Sequence, residues 1–269
     1  MIQYFLDQQQ DVPPTQLDQG FARLRYAYLR SCESLQAHDA GQDYITFEAN
    51  EEQISFCICD GVGLSFYGNL AARYLGDSLR KWISVKKVED WRYIHDFQFD
   101  ISLILRNLRR EAEEMIARFE IPGSITGIFR EVLEAKRAVG SETTFLCGKA
   151  LHVDSSIRLF LAWLGDTKAT LWRGEQNCRD IFHGEFTDQH RWSSRRGAVG
   201  SPPHCYIGSS RVDGFDRLVV HTDGLDAFSQ LPGSLDHLRE MIQQSHERPN
   251  SDDISYFEIG FTERNEDRN

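Results

Sequence analysis

The order of strand-like and helix-like segments predicts an α+β fold, in which antiparallel sheets pack against separate groups of helices. Strand patterns lie before residue 61, helical periodicity runs from about residue 69 to 140, and strand patterns return from residue 143. A parallel sheet would require strands and helices to alternate. The chain also lacks a Gly-x-Gly-x-x-Gly turn after a strand and a Walker-type lysine loop, which excludes the common nucleotide-binding folds.

Composition is that of a globular protein with few unusual features. Of the 269 residues, 41% are hydrophobic and 26% are charged, and the net charge is −11. No basic footprint indicates a nucleic-acid partner, and no apolar run reaches the ~18 residues that span a bilayer. The N-terminal sequence lacks the pattern of a signal peptide, so we expect a cytoplasmic protein without a membrane partner. The acidic excess fits both solubility and carboxylates gathered around cations.

The N-terminal fifth of the chain contains the first predicted strands. Residues 1–20 are polar and include two adjacent prolines, so we expect an irregular extension. Strands are predicted at 21–29, 43–48 and 54–60, and the last two form a hairpin. Neither face of 54–60 carries a charge, which indicates a central strand covered on both sides.

Three helices are predicted next. Ala71, Leu75, Leu79 and Trp82 recur at helical spacing, and a longer apolar stripe runs from Phe97 to Phe119. Pro122 ends that helix, and a third begins at Ile125 and ends near Gly140. Stripes of this kind usually face the protein core.

The remaining chain returns to strands. We predict a meander over 143–151, 157–164 and 168–173, a strand at 216–222, a helix at 234–245 and a last strand at 254–261. Residues 174–214 have no clear period, so we expect a long irregular flap, and loops of this length are usually functional. The predicted organisation is therefore an extension over 1–20, one domain over 21–262 and a polar tail over 263–269.

Four aspartates share one kind of position, at the end of a predicted strand. Asp43 opens a strand, Asp252 precedes one, and Asp60 and Asp223 each end a strand before a glycine. Strand ends meet at the rim of a sheet, and carboxylates gathered there repel each other unless cations neutralise them. Mg²⁺ and Mn²⁺ prefer such oxygen ligands, and a glycine at position 61 would let its carbonyl turn toward a metal. The alternative is that these are ordinary turn residues, although four such sites favour a metal centre.

Six segments in register resemble the metal-dependent protein phosphatases, the type 2C or PPM family, and its bacterial members in particular. The segments are Gly41–Asp43, Cys57–Gly63, Gly140–Thr144, Trp163–Thr167, Asp216–Gly224 and Asp252–Ser255. They span about residues 22 to 262 in the order and spacing of that family. The resemblance implies a four-layer α/β/β/α sandwich, with two stacked antiparallel sheets flanked by helices, and makes 21–262 a phosphatase-like catalytic domain.

The resemblance also implies the site. The catalytic metal carboxylates would be Asp43, Asp60, Asp223 and Asp252. The Gly61 carbonyl would be a further ligand, and Asp166 matches a third, weaker metal position. Asp253 stands where the family often has Asn, so Asp252 is the better candidate ligand. Two Mn²⁺ or Mg²⁺ ions would share a water that attacks phosphoserine or phosphothreonine directly.

The chain departs from the family pattern at three positions that bear on the site, and Lys168 stands where Arg is frequent, which we expect to be neutral in effect. Val62 stands where eukaryotic members carry a His that is a candidate general acid, so no proton donor to the leaving group is identified. His38 stands where the family usually has a phosphate-binding Arg, and either phosphate binding or an ordinary surface role is open to it. Gln42 replaces a common Glu but can still hydrogen-bond a metal-bound water.

The segment Arg191–Gly197 of the flap leaves two readings open. Its arginines and Trp192 could hold a phosphopeptide, or the segment is a solvated loop that Trp192 anchors to the body. The second reading is the one we prefer.

The expected activity is that of a bacterial phosphatase that opposes a Ser/Thr kinase on phosphoprotein substrates. A phosphatase-like binding or regulatory module without turnover is the alternative, motivated by the departures at Val62 and His38. A small phosphorylated metabolite is a further substrate class that the sequence does not separate from protein. Coiled-coil heptads are absent from the sequence, so a monomer is expected.

Overall fold

The computed structural model describes residues 1–178, 181–182, 184–225, 232–248 and 251–262. In chain order its strands are β1 (Ile2–Phe5), β2 (Val12–Gln19), β3 (Ala22–Leu29), β4 (Tyr44–Ala49), β5 (Gln53–Gly61), β6 (Glu142–Val153), β7 (Ser156–Leu164), β8 (Lys168–Arg173), β9 (Gln176–Asn177), β10 (Arg191–Ser193), β11 (Gly197–Val199), β12 (His204–Ser209), β13 (Arg217–His221) and β14 (Ile254–Phe261). Its helices are α1 (Cys32–Ala37), α2 (Gly68–Val85), α3 (Ile94–Arg118), α4 (Gly127–Val139), α5 (Ser210–Asp213) and α6 (Leu235–His246).

These strands form two antiparallel sheets. The larger sheet has the order β1–β4–β5–β6, and from β6 it continues both to β10–β11 and to β7–β12. The smaller sheet has the order β2–β3–β14–β13–β8–β9. Aromatic side chains join the inner faces of the two sheets, because the ring of Phe257 lies 5.3 Å from that of Phe47 and 5.1 Å from that of Phe56. The predicted antiparallel α+β sandwich is confirmed.

Helices cover both outer faces. On the larger sheet, α2 buries its apolar stripe, and α3 packs against α2 with Phe97, Ile101 and Leu105. On the smaller sheet, α6 buries Leu238 and Ile242 in a cluster with Trp172 and Tyr256 of the outer face. Every predicted helix is present. The stripes of α2 and α3 face the core, as a period of 3.6 predicts, whereas the same expectation is wrong for α4, no residue of which is buried.

The prediction of an irregular segment at 1–20 is wrong. β1 pairs with β4 at the edge of the larger sheet, and β2 pairs with β3 at the edge of the smaller one. The two prolines lie in edge strand β2, where the pairing register shifts between Val12 and Thr15. An edge strand tolerates proline because one side of its backbone needs no partner, so the prolines did not exclude a strand.

The flap prediction over 174–214 is also wrong in its secondary structure. β10 pairs with β6 and β12 pairs with β7, so both extend the larger sheet. Trp192 is fully buried, and its Nε1 donates a 3.0 Å hydrogen bond to the carbonyl of Leu105 on α3. Strands of three residues, such as β10 and β11, are too short to show a period of two. The anchoring role that we preferred for Trp192 is confirmed.

Two further predictions concern the C-terminal tail and membrane-spanning helices. The polar tail over 263–269 lies outside the described residues. In the described part of the chain, none of the helices combines the length and apolar character needed to cross a membrane.

Candidate active site

The predicted carboxylates meet at one end of the sandwich. A cavity of about 740 Å³ is lined by Asp60 at the end of β5, Asp223 after β13, Asp252 before β14 and Asp166 in the turn between β7 and β8. Each strand ends at this rim, so the aspartates approach one another without entering the apolar core. The structure thus brings three of the four strand-end aspartates, Asp60, Asp223 and Asp252, to one cavity together with Asp166.

Asp43 lies behind the cavity wall rather than in it. Its side chain is 1% exposed, and its Oδ2 accepts a 2.7 Å hydrogen bond from Oγ1 of Thr222. Gln8 supports the same segment, because its Nε2 donates to the Asp43 carbonyl at 3.0 Å. The first predicted metal carboxylate is thus buried between the N-terminal segment and the end of β13.

Burial and mutual repulsion raise the pKa values of this cluster. The pKa of Asp60 is raised by burial first and then by the charges of Asp223 and Asp166, and that of Asp43 by burial and then by Asp60. Burial and the charges of Asp252 and Asp166 raise the pKa of Asp223 to about 6. The cluster therefore carries its full negative charge only at a cost that a cation would offset.

The two adjacent aspartates before β14 differ in role. The side chain of Asp253 is 2% exposed, and both its carboxylate oxygens accept backbone hydrogen bonds, from the N–H of Ser31 at 2.5 Å and from that of Gln42. Asp252 is exposed and lines the cavity. Asp253 thus fixes the chain before Asp43, while the carboxylate of Asp252 faces the cavity, and its role as a metal ligand stays a prediction.

Gly61 is required for a reason other than the one we inferred. Its φ angle is not in the left-handed region, so conformational freedom does not explain it. A Cβ at this position would lie 2.5 Å from the carbonyl carbon of Gly68, where β5 passes the first residue of α2. The pair of glycines therefore allows a close approach that places the end of β5, with Asp60, against the helix that follows.

A basic side of the cavity was not assigned from the sequence. Glu142 at the start of β6 is 4% exposed, and its Oε2 and Oε1 accept hydrogen bonds of 2.5 Å from Arg191 and 2.6 Å from Arg196. Burial alone would raise the pKa of Glu142, but the bonds from Arg196 and Arg191 hold it below its usual value. Both guanidinium groups line the cavity. The arginines were visible in the flap, but their buried partner Glu142 is 49 residues from Arg191 and 54 from Arg196, so local pattern could not reveal it.

The neighbouring Arg195 lies apart from this pair. It contacts Glu113 at 3.4 Å and the carbonyl of Ala138, and it lines a different cavity. Of the three arginines in the segment Arg191–Gly197, two therefore line the cavity with the aspartates.

The three departures from the family pattern have different surroundings. His38 is exposed at the C-cap of α1 and does not line the cavity. Val62 lines the cavity, and the Oε1 atom of Gln42 is buried without a hydrogen-bond partner among the described residues. Phosphate binding by His38 stays a prediction that this placement does not support.

Asp188 is an acidic lining residue that the sequence did not reveal. It is exposed in the segment before β10, and its charge contributes to the raised pKa of Asp166, after burial of Asp166 itself. Within the described residues, no three His, Cys, Asp or Glu side chains form a ready-made metal-ligand group.

Comparison with family models identifies one family. The model of the family described as protein phosphatase 2C matches residues 33–257. Serine/threonine phosphatase Stp1 from Staphylococcus aureus has a similar fold, with a TM-score of 0.59 and 14% identity over 92% of this chain and 98% of that chain. Comparison with curated proteins gives no significant match.

Two further solved structures share this fold. A bacterial serine phosphatase has a TM-score of 0.57 and 16% identity, over 88% of this chain and 97% of its own. RsbX in complex with magnesium has a TM-score of 0.52 and 14% identity, over 93% of this chain and 100% of its own. The family match extends over most of the sequence and includes the aspartate motifs, so the chain belongs to the protein phosphatase 2C family, the family of protein serine/threonine phosphatases.

Proposed function

We propose that this protein hydrolyses phosphoserine and phosphothreonine monoesters in proteins with the help of two divalent cations. The observation that carries the proposal is the group of carboxylates at the strand ends, whose pKa values are raised by burial and by one another's charge. A phosphate dianion would be repelled from such a cavity unless cations neutralised it first. Carboxylate clusters that are this unfavourable by themselves are typical of metal sites.

The residues present fit hard cations. Every candidate ligand is an oxygen atom, which is the donor that Mg²⁺ and Mn²⁺ prefer. The Oδ1 atom of Asp166 and the Oε1 atom of Gln42 are buried without a hydrogen-bond partner among the described residues, so both have a free lone pair for a cation or its water. The magnesium complex of RsbX, a protein of similar fold, supports the choice of cation.

We assign the cations to the strand-end residues. The ligands would come from Asp43, Asp60, Asp223, Asp252 and the carbonyl of Gly61. Asp166, with Asp188 beside it, would hold a third and weaker ion. When bound, the cations would activate a water for attack on phosphorus and would neutralise the charge of the phosphate.

The chain's own residues then orient the substrate. Arg191 and Arg196 have N–H groups beyond those that bind Glu142, and forked guanidinium groups match the oxygens of a phosphate. Glu142 holds both arginines toward the cavity. The described lining of the cavity contains no imidazole, and we assign protonation of the leaving alkoxide to a water.

The experiment that tests this function is hydrolysis of a phosphothreonine peptide with Mn²⁺, with Mg²⁺ and with a chelator. We expect metal-dependent turnover in the wild type and its loss in Asp60→Asn and in Asp223→Asn. Asp18→Asn on edge strand β2 is the matched control, because its carboxylate pairs with Arg23 at the surface and should not affect turnover. A folded protein that binds Mn²⁺ but hydrolyses no phosphopeptide would instead indicate a phosphatase-like binding module.

A further inference from the structure

Helix α4 exposes an unusual amount of apolar surface. None of its residues is fully buried, although its apolar residues recur at helical spacing. The exposed apolar side chains on it and near it are Ile128 (70%), Phe129 (75%), Val132 (49%), Val139 (56%) and Leu64 (87%) in the loop after β5. Apolar surface gathered in one place, unlike single exposed residues, marks an interaction site.

This surface forms a wall of the active-site cavity. Leu64, Val132 and Val139 line the same cavity as the aspartates. A second cavity of about 450 Å³ lies next to it and is lined by Ile125, Phe129, Val132, Leu133 and Lys136, among others. Val132 and Lys136 border both cavities, so the apolar surface continues from the aspartates across α4. We call the second cavity, with Phe129 and Val132, the α4 groove.

Charge is distributed along this path in a defined order. The aspartates, Arg191 and Arg196 line the active-site cavity and not the second cavity, whereas Lys136 borders both. Lys136 also donates a 3.3 Å hydrogen bond to the carbonyl of Gly63, which holds its ammonium group at this border. A ligand that fits would carry a phosphate at one end and a large apolar group a short distance away. A free phosphate or a small phosphorylated metabolite would leave the α4 groove empty.

We propose that the α4 groove binds a large apolar side chain that lies within a few residues of the phosphorylated serine or threonine in the substrate protein. The proposal rests on the proposed function, because it assigns the cavity to the phosphorylated residue. Continuity of the apolar surface with the aspartate cavity argues for this occupant: Val132 and Lys136 border both cavities, so a peptide with its phosphate at the aspartates and its chain along α4 places a neighbouring side chain at the α4 groove. Phe129 and Val132 are then the residues that determine substrate preference.

The test compares two labelled peptides that differ only beside the phosphorylated position, one with leucine or phenylalanine there and the other with serine. Each carries a non-hydrolysable phosphonate in place of phosphothreonine, so fluorescence anisotropy measures binding without turnover. We expect the wild type with Mn²⁺ to bind the apolar peptide roughly tenfold more tightly, since partial burial of one such side chain contributes about that factor. Phe129→Ser and Val132→Ser should each bring the ratio of the two dissociation constants toward one.

Phe99→Ser is the matched control. Phe99 is 67% exposed on α3 and lines neither cavity, so the same loss of apolar surface there should leave the tenfold preference intact. A wild type that binds both peptides equally would overturn the proposal, and so would a preference that survives both α4 variants. A dimer that Phe129→Ser dissociates without changing the peptide ratio would assign the α4 groove to a second copy of the chain instead.

The outcome is separable from that of the proposed function. Hydrolysis of the matching phosphothreonine peptides reports on catalysis, and anisotropy reports on the α4 groove. Apolar preference in binding without hydrolysis would leave the groove assignment in place and overturn the phosphatase. Hydrolysis of both peptides without a preference in binding would support the phosphatase and overturn the assignment of the α4 groove.

Discussion

Oγ1 of Thr222 donates a 2.7 Å hydrogen bond to Oδ2 of Asp43, a residue 179 positions earlier in the chain. The same oxygen accepts a 2.9 Å bond from the backbone N–H of Ser255, and Thr222 is fully buried. The hydroxyl is therefore fixed as donor on one side and acceptor on the other. It joins the start of β4, the end of β13 and the start of β14, the three strand ends that supply most of the proposed ligands.

This arrangement predicts that Thr222→Val weakens cation binding while Thr222→Ser does not. Valine has nearly the shape of threonine but leaves Oδ2 of Asp43 and the N–H of Ser255 without their partner. Loss of a residue that orients a metal ligand typically lowers metal affinity about 10- to 100-fold. Calorimetric titration with Mn²⁺ measures the change, and a Thr222→Val affinity equal to that of Thr222→Ser would contradict the positioning role.

Substitutions of Asp252 and Asp253 should differ in their effects, the first acting on turnover and the second on stability. Asp253→Ala leaves the backbone N–H groups of Ser31 and Gln42 without acceptors in a buried position, which should lower the free energy of unfolding by about 1–3 kcal/mol. Asp252→Ala removes an exposed carboxylate, so we expect it to lower the free energy of unfolding by less than about 0.5 kcal/mol. Because this carboxylate lines the cavity, we also expect a loss of metal-dependent turnover. Urea unfolding and peptide hydrolysis measure the two effects. The assignment fails if Asp253→Ala alone abolishes turnover in a protein of unchanged stability.

Glu142→Gln should destabilise the protein at neutral pH and raise KM for phosphopeptides. The side chains of Arg191 and Arg196 are partly exposed to water. We therefore expect the free energy of unfolding to fall by about 1–2 kcal/mol, which is less than for loss of one partner of a fully buried pair. The pKa of Glu142 is lowered in the fold, so its contribution is present above the unfolded pKa and is lost as pH falls through the folded value. The stability difference between wild type and variant should therefore shrink below about pH 4.

The control for this prediction is Glu113→Gln. Glu113 faces Arg195 at 3.4 Å, and both side chains are about half exposed, so its removal should cost no more than about 0.5 kcal/mol at any pH. Equal effects of the two substitutions on stability and on KM would show that Glu142 does not organise the cavity.

The sequence predicted the main layers because they rest on local periodicity. Stripes at helical spacing gave α2, α3, α4 and α6, and continuous apolar runs gave the central strands of both sheets. It failed at β1, β2, β10 and β12, which are stabilised by the strands beside them rather than by their own pattern. Polar edge strands with prolines resemble loops until the neighbouring strand is known.

The site shows the same division. Asp60 and Asp223 end apolar strands, so a local pattern indicated them, and the shared rim of the sheets explained why they meet. Glu142, Thr222 and Asp253 act through partners that are far away in sequence, and no single segment reveals those contacts. Residues that hold the proposed ligands in place were therefore missed or assigned by motif alone, whereas a local pattern indicated the strand-end carboxylates.

Cation binding should stabilise the protein more at neutral pH than in mild acid. The pKa of Asp223 is raised to about 6 in the fold, above its unfolded value of about 3.9, so the native state binds more protons over that interval. Stability of the metal-free protein therefore falls as pH rises from about 4 to 6, because the carboxylates become charged beside one another. A bound cation removes that repulsion, so the rise in Tm on adding Mn²⁺ should be larger near about pH 7.5 than near about pH 5. Differential scanning fluorimetry with Mn²⁺ or EDTA measures both values. In the control variant Asp223→Asn, the Tm of the metal-free protein should depend less on pH. If Mn²⁺ raises the Tm of the wild type equally at both pH values, that result would argue against a cation among these aspartates.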